Sequence, residues 1–179
     1  QPIARKTMSK WIKFRRRDSQ VEEFGKLLDE VDFENQRVVV CSGELFDGAE
    51  PTDEILQVAD LTLLTPCWPS KMIGLWKNVR AAAEEQGLEI PDEPLYFFKS
   101  SNSYLPHLGQ IRRPNSYADR IIYEGELGVV IGKVCRAVSE QEAGDYIFGY
   151  TCVNNITALS LIDKDSTFQK WCRAKSMDT

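Results

Sequence analysis

The chain has 179 residues, of which 42% are hydrophobic and 27% charged, with a formal charge of -5 at neutral pH. That balance fits one sizeable globular domain, or a small domain joined to part of a larger one. It excludes the basic surface that neutralises a phosphate backbone, and no run of 18 apolar residues offers a membrane span, so neither nucleic acid nor membrane is an expected partner.

The first seven residues, "QPIARKT" ahead of Met8, read as a vector remnant, and no apolar signal core follows them. From Met8 to Trp68 we expect a small α/β module. Residues 9–15 alternate as a strand. The segment "SQVEEFGKLLDEV" sets Val21, Phe24, Leu27, Leu28 and Val31 on one helical face. "QRVVVC" is a second strand, "GELFDGAEPTD" a turn-rich connection, and "ADLTLLTPCWP" a third strand closed by prolines. The basic cluster "KFRRR", Lys13 to Arg17, reads as a solvated strand end.

A second domain is expected over 69–179. "KNVRAAAEEQG" is a short helix stopped at Gly87, and "LYFFK" is an aromatic strand. "SSNSYLPHLGQIRRPNSY" is a long loop of the kind that carries function when ordered. An acidic strand, a short helix opened by the capping-box sequence "SEQE" at Ser139, a strand at "YIFGYTCVNN" and a closing segment "FQKWCRAKSMDT" complete the chain. The five cysteines, Cys41, Cys67, Cys135, Cys152 and Cys172, have no repeating spacing and read as reduced thiols of a cytoplasmic protein.

The acidic strand, "RIIYEGELGVVIGKV", holds the chemistry. Side chains alternate along a strand, so Glu124 and Glu126 project to the same side with Cβ atoms roughly 6 to 7 Å apart. Two carboxylates that close on a partly buried surface repel unless a cation lies between them. A hard divalent ion such as Mg²⁺ takes oxygen ligands at about 2.1 Å and keeps waters that a substrate can replace. On a solvated sheet edge the same pattern would mean nothing more than surface charge.

"YEGELGVVIGK", "YIFGYTCVNNITA" and "RAKSMDT", in this order and spacing, closely resemble the fumarylacetoacetate hydrolase family, in its 2-hydroxyhepta-2,4-diene-1,7-dioate isomerase-like branch. The match runs from about Pro69 to the end, behind a module similar to that branch's small N-terminal domain. The resemblance implies an α+β, mixed-β fold: a β-roll with a Mg²⁺ or Mn²⁺ site, in a homodimer. It also implies chemistry on 2-oxo or 1,3-dioxo acids, namely C–C hydrolysis, tautomerisation, hydration or decarboxylation. The family's metal pair falls on Glu124 and Glu126, and the lysine of its "KSFDT"-like motif falls on Lys175, which we expect near the end of a strand. Tyr104, His107 and "IRRP", with Arg112, occupy the loop where the family approaches its substrate.

Two positions depart from the family. Its third metal carboxylate is the aspartate of an N-D-V/I-S/T-A stretch, and "VNNITA" puts Asn155 there, which keeps an amide oxygen but loses a charge. Its histidine after a "GL" helix start is replaced by Arg80, with Ala83 in place of the glutamate that would follow. An arginine stays protonated at neutral pH and cannot serve as that general base, though it can clamp a carboxylate. The resemblance also implies a domain that continues on the order of a hundred residues past "KSMDT". We therefore expect the C-terminal part of the roll to be missing here, and a homodimer or a second chain to complete the fold.

The expected reading is a metal-dependent enzyme with Glu124, Glu126 and Asn155 as ligands, and with Lys175, His107 and Tyr104 as catalytic groups. Arg80 or Arg112 would bind a small carboxylate substrate. The competing reading is a catalytically degenerate member that partners an active homologue.

Overall fold

The computed structural model describes residues 9–28, 32–164 and 171–178. The expected vector remnant, residues 1–7, and Val31 of the expected helix lie outside the described residues. The chain divides into two compact units. The first comprises residues 1–67, 106–108 and 129–151, and the second comprises 68–105, 109–128 and 152–179.

The first unit is built on five strands: β1 (Trp11–Arg16), β2 (Glu23–Leu27), β3 (Arg37–Ser42), β4 (Glu50–Gln57) and β5 (Leu61–Leu63). They form one sheet in the order β4-β3-β2-β1-β5, with every pairing antiparallel. Strand β3, paired on both sides, is apolar, with Val38 to Cys41 all buried, as expected where a strand is covered on both faces. Phe14, Val38, Val40 and Val58 make the core, with Ile12, Leu27, Leu56, Leu61 and Leu63 packed around it.

The segment expected as a helix from Ser19 to Val31 is strand β2 over its middle. The spacing of Val21, Phe24, Leu27 and Leu28 satisfies a helical face, but Gly25 lies inside the segment, between Phe24 and Leu27, and glycine weakens a helix interior. What decides the conformation is tertiary. A Cβ on Gly25 would lie 2.2 Å from the carbonyl oxygen of Val39, so only glycine lets β2 pair this closely with β3. Strand β4 begins within the stretch expected as a turn-rich connection and runs on past it. Its Pro51 is tolerated because β4 is an edge strand and the pairing with β3 shifts register between Val39 and Cys41. At that bulge the Thr52 hydroxyl donates to the Val40 carbonyl at 2.9 Å. The module is thus an antiparallel β-sheet rather than the expected α/β unit, and no α-helix occurs among its described residues before Trp68.

The cluster "KFRRR" is neutralised within this unit. Lys13 pairs with Glu22 at 2.6 Å. Arg16 holds Glu23 on β2 and Glu54 on β4 at once, with contacts of 2.6 to 2.8 Å. Because β4 and β1 are separated in the sheet by β3 and β2, this double clamp ties β1 to β4 across two intervening strands.

In the second unit, β6 (Met72–Trp76) and β7 (Leu95–Lys99) form an antiparallel pair whose register runs from Met72 opposite Lys99 to Trp76 opposite Leu95. Between them lies α1 (Arg80–Glu85), which ends as expected at Gly87, with φ +63°. Strands β8 (Ile121–Ile131) and β9 (Ile147–Ala158) pair with each other, and both contribute residues to each unit. The short helix α2 (Glu140–Ala143) lies between them and carries the expected capping box of Ser139 and Glu142. Helices α3 (Leu159–Asp163) and α4 (Trp171–Lys175) follow. The strand expected around Lys175 is therefore helix α4. Its alanine and lysine are good helix formers, and Ala174 at its end is fully buried.

Candidate active site

Along β8 the burial alternates residue by residue, as strand geometry dictates. The alternation has an unusual sense. Tyr123, Leu127, Val129 and Ile131 are exposed, whereas Glu124 and Glu126 occupy the half-buried face. Carboxylates on an inner face need partners, and β7, β9 and α4 supply them.

Glu124 accepts from the Thr157 hydroxyl at 2.6 Å and, on the same Oε2, from the Lys175 ammonium. Glu126 accepts from Asn155 Nδ2 at 2.7 Å. Asn155 Oδ1 in turn accepts from Lys99 Nζ at 2.9 Å, and Lys99 also donates to the main-chain carbonyl of Lys175. Asn155 and Thr157, two apart on β9, share a face and are both almost fully buried, at 2% and 1% exposure. The result is a continuous network of two carboxylates, two ammoniums, one amide and one hydroxyl. Its formal charge is zero.

The electrostatics follow from this packing. Burial lowers the Lys99 ammonium to a pKa of about 8, with the neighbouring charge of Lys175 adding to the shift and Glu126 and Glu124 opposing it. Burial alone would raise the Glu124 carboxyl. The hydrogen bonds from Lys175 and Thr157 outweigh it and hold the group below its ordinary range.

Lys175 is presented by a strap at the end of β7. The Ser176 hydroxyl accepts from the Ser100 main-chain N–H at 3.0 Å and donates to the Phe98 carbonyl at 3.4 Å. Asn102 Nδ2 reaches Asp178 at 3.3 Å. The Lys175 ammonium also lies 5.2 Å from the centre of the Phe97 ring, within range of a cation–π contact.

Glu124, Glu126, Asn155 and Lys175 are thus gathered in one network, while the other expected residues have surroundings of their own. Arg80 opens α1 and lines a cavity of about 250 Å³ together with Trp76, Lys77, Asp92 and Glu93. Tyr104 follows a 3-10 turn at Ser101–Ser103 and is half-buried. Arg112 is exposed and donates from Nε to Gln110 at 3.4 Å. His107 belongs to the first unit, where its ring lies 6.2 Å from that of Phe33. Sequence reasoning missed Lys99 and Thr157. Thr157 could have been found from its two-residue offset from Asn155, whereas Lys99 carries no local signal beyond ending an aromatic strand.

Residues 71–179 match the model of the fumarylacetoacetate hydrolase C-terminal domain. The chain belongs to the fumarylacetoacetate hydrolase family. Residues 9–66 match the Rv2993c-like N-terminal domain, as the order of the two modules leads one to expect. An uncharacterized protein of Archaeoglobus fulgidus is 40% identical over 148 residues, covering 78% of this chain and 58% of the relative. Oxaloacetate tautomerase YisK of Bacillus subtilis is 36% identical over 155 residues, covering 82% of this chain and 50% of that enzyme. The crystal structure of 2-hydroxyhepta-2,4-diene-1,7-dioate isomerase from Mycobacterium marinum superposes with a TM-score of 0.77 at 27% identity, covering 96% of this chain and 62% of that one. The chain thus spans about half the length of these curated relatives and under two thirds of the solved isomerase. The mixed, sheet-rich architecture is that of the family, whose members similar to this chain include a tautomerase and an isomerase. No helix among the described residues is long and apolar enough to cross a membrane.

Proposed function

We propose that this chain contributes a site for isomerase-type chemistry, tautomerisation first, on a small 2-oxo acid through a stabilised enolate. The observation that carries the reading is the network itself, in which both glutamates of one β8 face are drawn together with two lysines and a buried amide. The Bacillus relative's activity on oxaloacetate supports a 2-oxo dicarboxylic acid as the substrate. Decarboxylation shares the same enolate. Hydrolysis is disfavoured because Arg80 cannot replace a histidine base.

The family's divalent ion is tested by the chemistry of the donors. Glu124 and Glu126 supply hard carboxylate oxygens on a half-buried face, which suits Mg²⁺ or Mn²⁺. Asn155 turns its NH₂ toward Glu126 and its oxygen toward Lys99, so it can join them only after a half-turn of the amide. With that half-turn the three residues would hold the ion. Such an ion supplies Lewis-acid stabilisation of the developing enolate oxygen.

In this reading the chain's own groups perform the remaining work. The Lys175 ammonium neutralises charge on the substrate oxygen. Lys99, which donates to the Lys175 carbonyl, keeps the strap in register. Arg80 or Arg112 receives a substrate carboxylate through a planar two-pronged contact, and Tyr104 carries the proton. The testing experiment follows keto–enol exchange of oxaloacetate by ultraviolet absorbance with Mn²⁺ present. Glu126→Gln is expected to lower the catalysed rate about a hundredfold, and a rate equal to that of the unaltered chain rejects the reading.

The neutral, fully engaged Asn155 favours a second reading, a degenerate member that supports an active homologue. Folded protein without Mn²⁺ binding or tautomerase activity would favour it. The placement of the two domains at 8–68 and 69–179 and the cytoplasmic location remain part of the proposal, the latter supported by five cysteines that form no disulfide. We further propose a homodimer or a completing second chain. Cross-strand pairs Ile73–Phe98 and Leu75–Tyr96 put four large apolar side chains on one exposed face of β6–β7, a surface that favours association. Light scattering on the purified chain tests this, and a monodisperse monomer counts against it.

A further inference from the structure

Lys175 does more in this geometry than face a substrate. Its ammonium is bound to Glu124 Oε2, the same oxygen that Thr157 anchors at 2.6 Å, and the lysine is only 6% exposed. The network is already neutral, with Lys99 and Lys175 balancing Glu124 and Glu126. A doubly charged ion arriving at the same carboxylates would meet an ammonium held in contact with one of them, and like charges at that separation repel strongly in a half-buried setting. Resting on the proposed metal-dependent reading, we propose that the Lys175 ammonium and a divalent cation compete for Glu124, so that cation entry releases the lysine side chain toward the substrate.

Three features make the exchange a side-chain movement rather than an unfolding of α4. The Lys175 carbonyl is held by Lys99, and Ser176 is tied to Ser100 and Phe98. Both contacts fix the main chain, so the exchange falls to the four-carbon stem. The Phe97 ring, 5.2 Å from the ammonium, already lies within cation–π range and keeps a favourable contact near the charge as it leaves Glu124. Thr157 keeps Glu124 in place when the lysine leaves, so the carboxylate is oriented for its new partner.

The competition has a signature that a simple supporting role lacks: removing the lysine strengthens cation binding. Mn²⁺ is titrated by calorimetry, with free Mn²⁺ followed in parallel by electron paramagnetic resonance, into the unaltered chain, Lys175→Met and Lys175→Arg at one pH. Lys175→Met is expected to bind Mn²⁺ about tenfold more tightly, and Lys175→Arg, which keeps the charge, within about threefold of the unaltered chain. Should Lys175→Met fail to fold by circular dichroism, Lys175→Gln carries the same expectation. If Lys175→Met binds no more tightly, while Glu126→Gln abolishes binding, the competition is wrong and the metal reading stands. Absence of Mn²⁺ binding in every folded variant rejects the metal reading, and the competition with it.

Discussion

Asn155 gives its amide nitrogen to Glu126 at 2.7 Å and takes Lys99 on its amide oxygen at 2.9 Å, so one buried side chain joins a carboxylate to an ammonium. A neutral amide is suited to this position because it donates in one direction and accepts in the other. A carboxylate offers acceptors only.

Asn155→Asp removes the donor that faces Glu126 and adds a third negative charge to the network. The aspartate would repel Glu126 unless a cation intervenes, so the variant should gain Mn²⁺ affinity by about ten- to a hundredfold, measured by calorimetry. Asn155→Leu leaves both Glu126 and Lys99 short of a partner. Urea unfolding should show a loss of about 2 to 4 kcal/mol.

The depressed Lys99 makes stability depend on alkaline pH. Between about 8, its pKa in the folded chain, and its ordinary 10.5, the unfolded chain retains the proton and the folded chain has shed it. The unfolded state then binds more protons, so this group's contribution to stability rises as pH increases through that window, having been unfavourable throughout below it. In metal-free buffer the melting temperature of the unaltered chain should therefore rise relative to Lys99→Met from pH 8 to 10. A constant difference between the two proteins contradicts the assignment.

Glu124 behaves in the opposite sense. Its carboxyl lies below the ordinary range, so it contributes stability above its unfolded pKa and loses it as pH falls through the folded value. Thr157→Val removes one of the two contacts that hold it there. The acid limb of the stability curve should move to higher pH in the variant, as read by circular dichroism across pH 2 to 6.

Gly25→Ala tests the packing of β2 on β3. The added methyl would lie 2.2 Å from a main-chain oxygen that cannot rotate away. The strands must separate, at a cost of about 1 to 3 kcal/mol in urea unfolding. Phe14→Ala, which empties the centre of the same sheet, should cost about 3 to 5 kcal/mol.

The acidic pair was legible because a strand's two-residue period alone puts Glu124 beside Glu126, and three motifs in register supplied Asn155 and Lys175. Lys99 was hidden because its partners are contributed by β9 and α4, 56 and 76 positions further along the chain. Residues 19–31 misled for the opposite reason. Their apolar spacing is locally helical, and only the approach of Val39 to Gly25 reveals a strand. Strand β4 was concealed by Pro51, which ordinarily argues against a strand and here occupies an edge position at a bulge.

The Arg16 clamp on Glu23 and Glu54 changes what it means for β4 to end the sheet. An outermost strand normally frays first, and its amides exchange with solvent long before those in the middle. Tied across to β1, β4 should surrender its protons together with β3, making the N-terminal sheet a single cooperative unit in hydrogen exchange rather than a ladder that opens rung by rung.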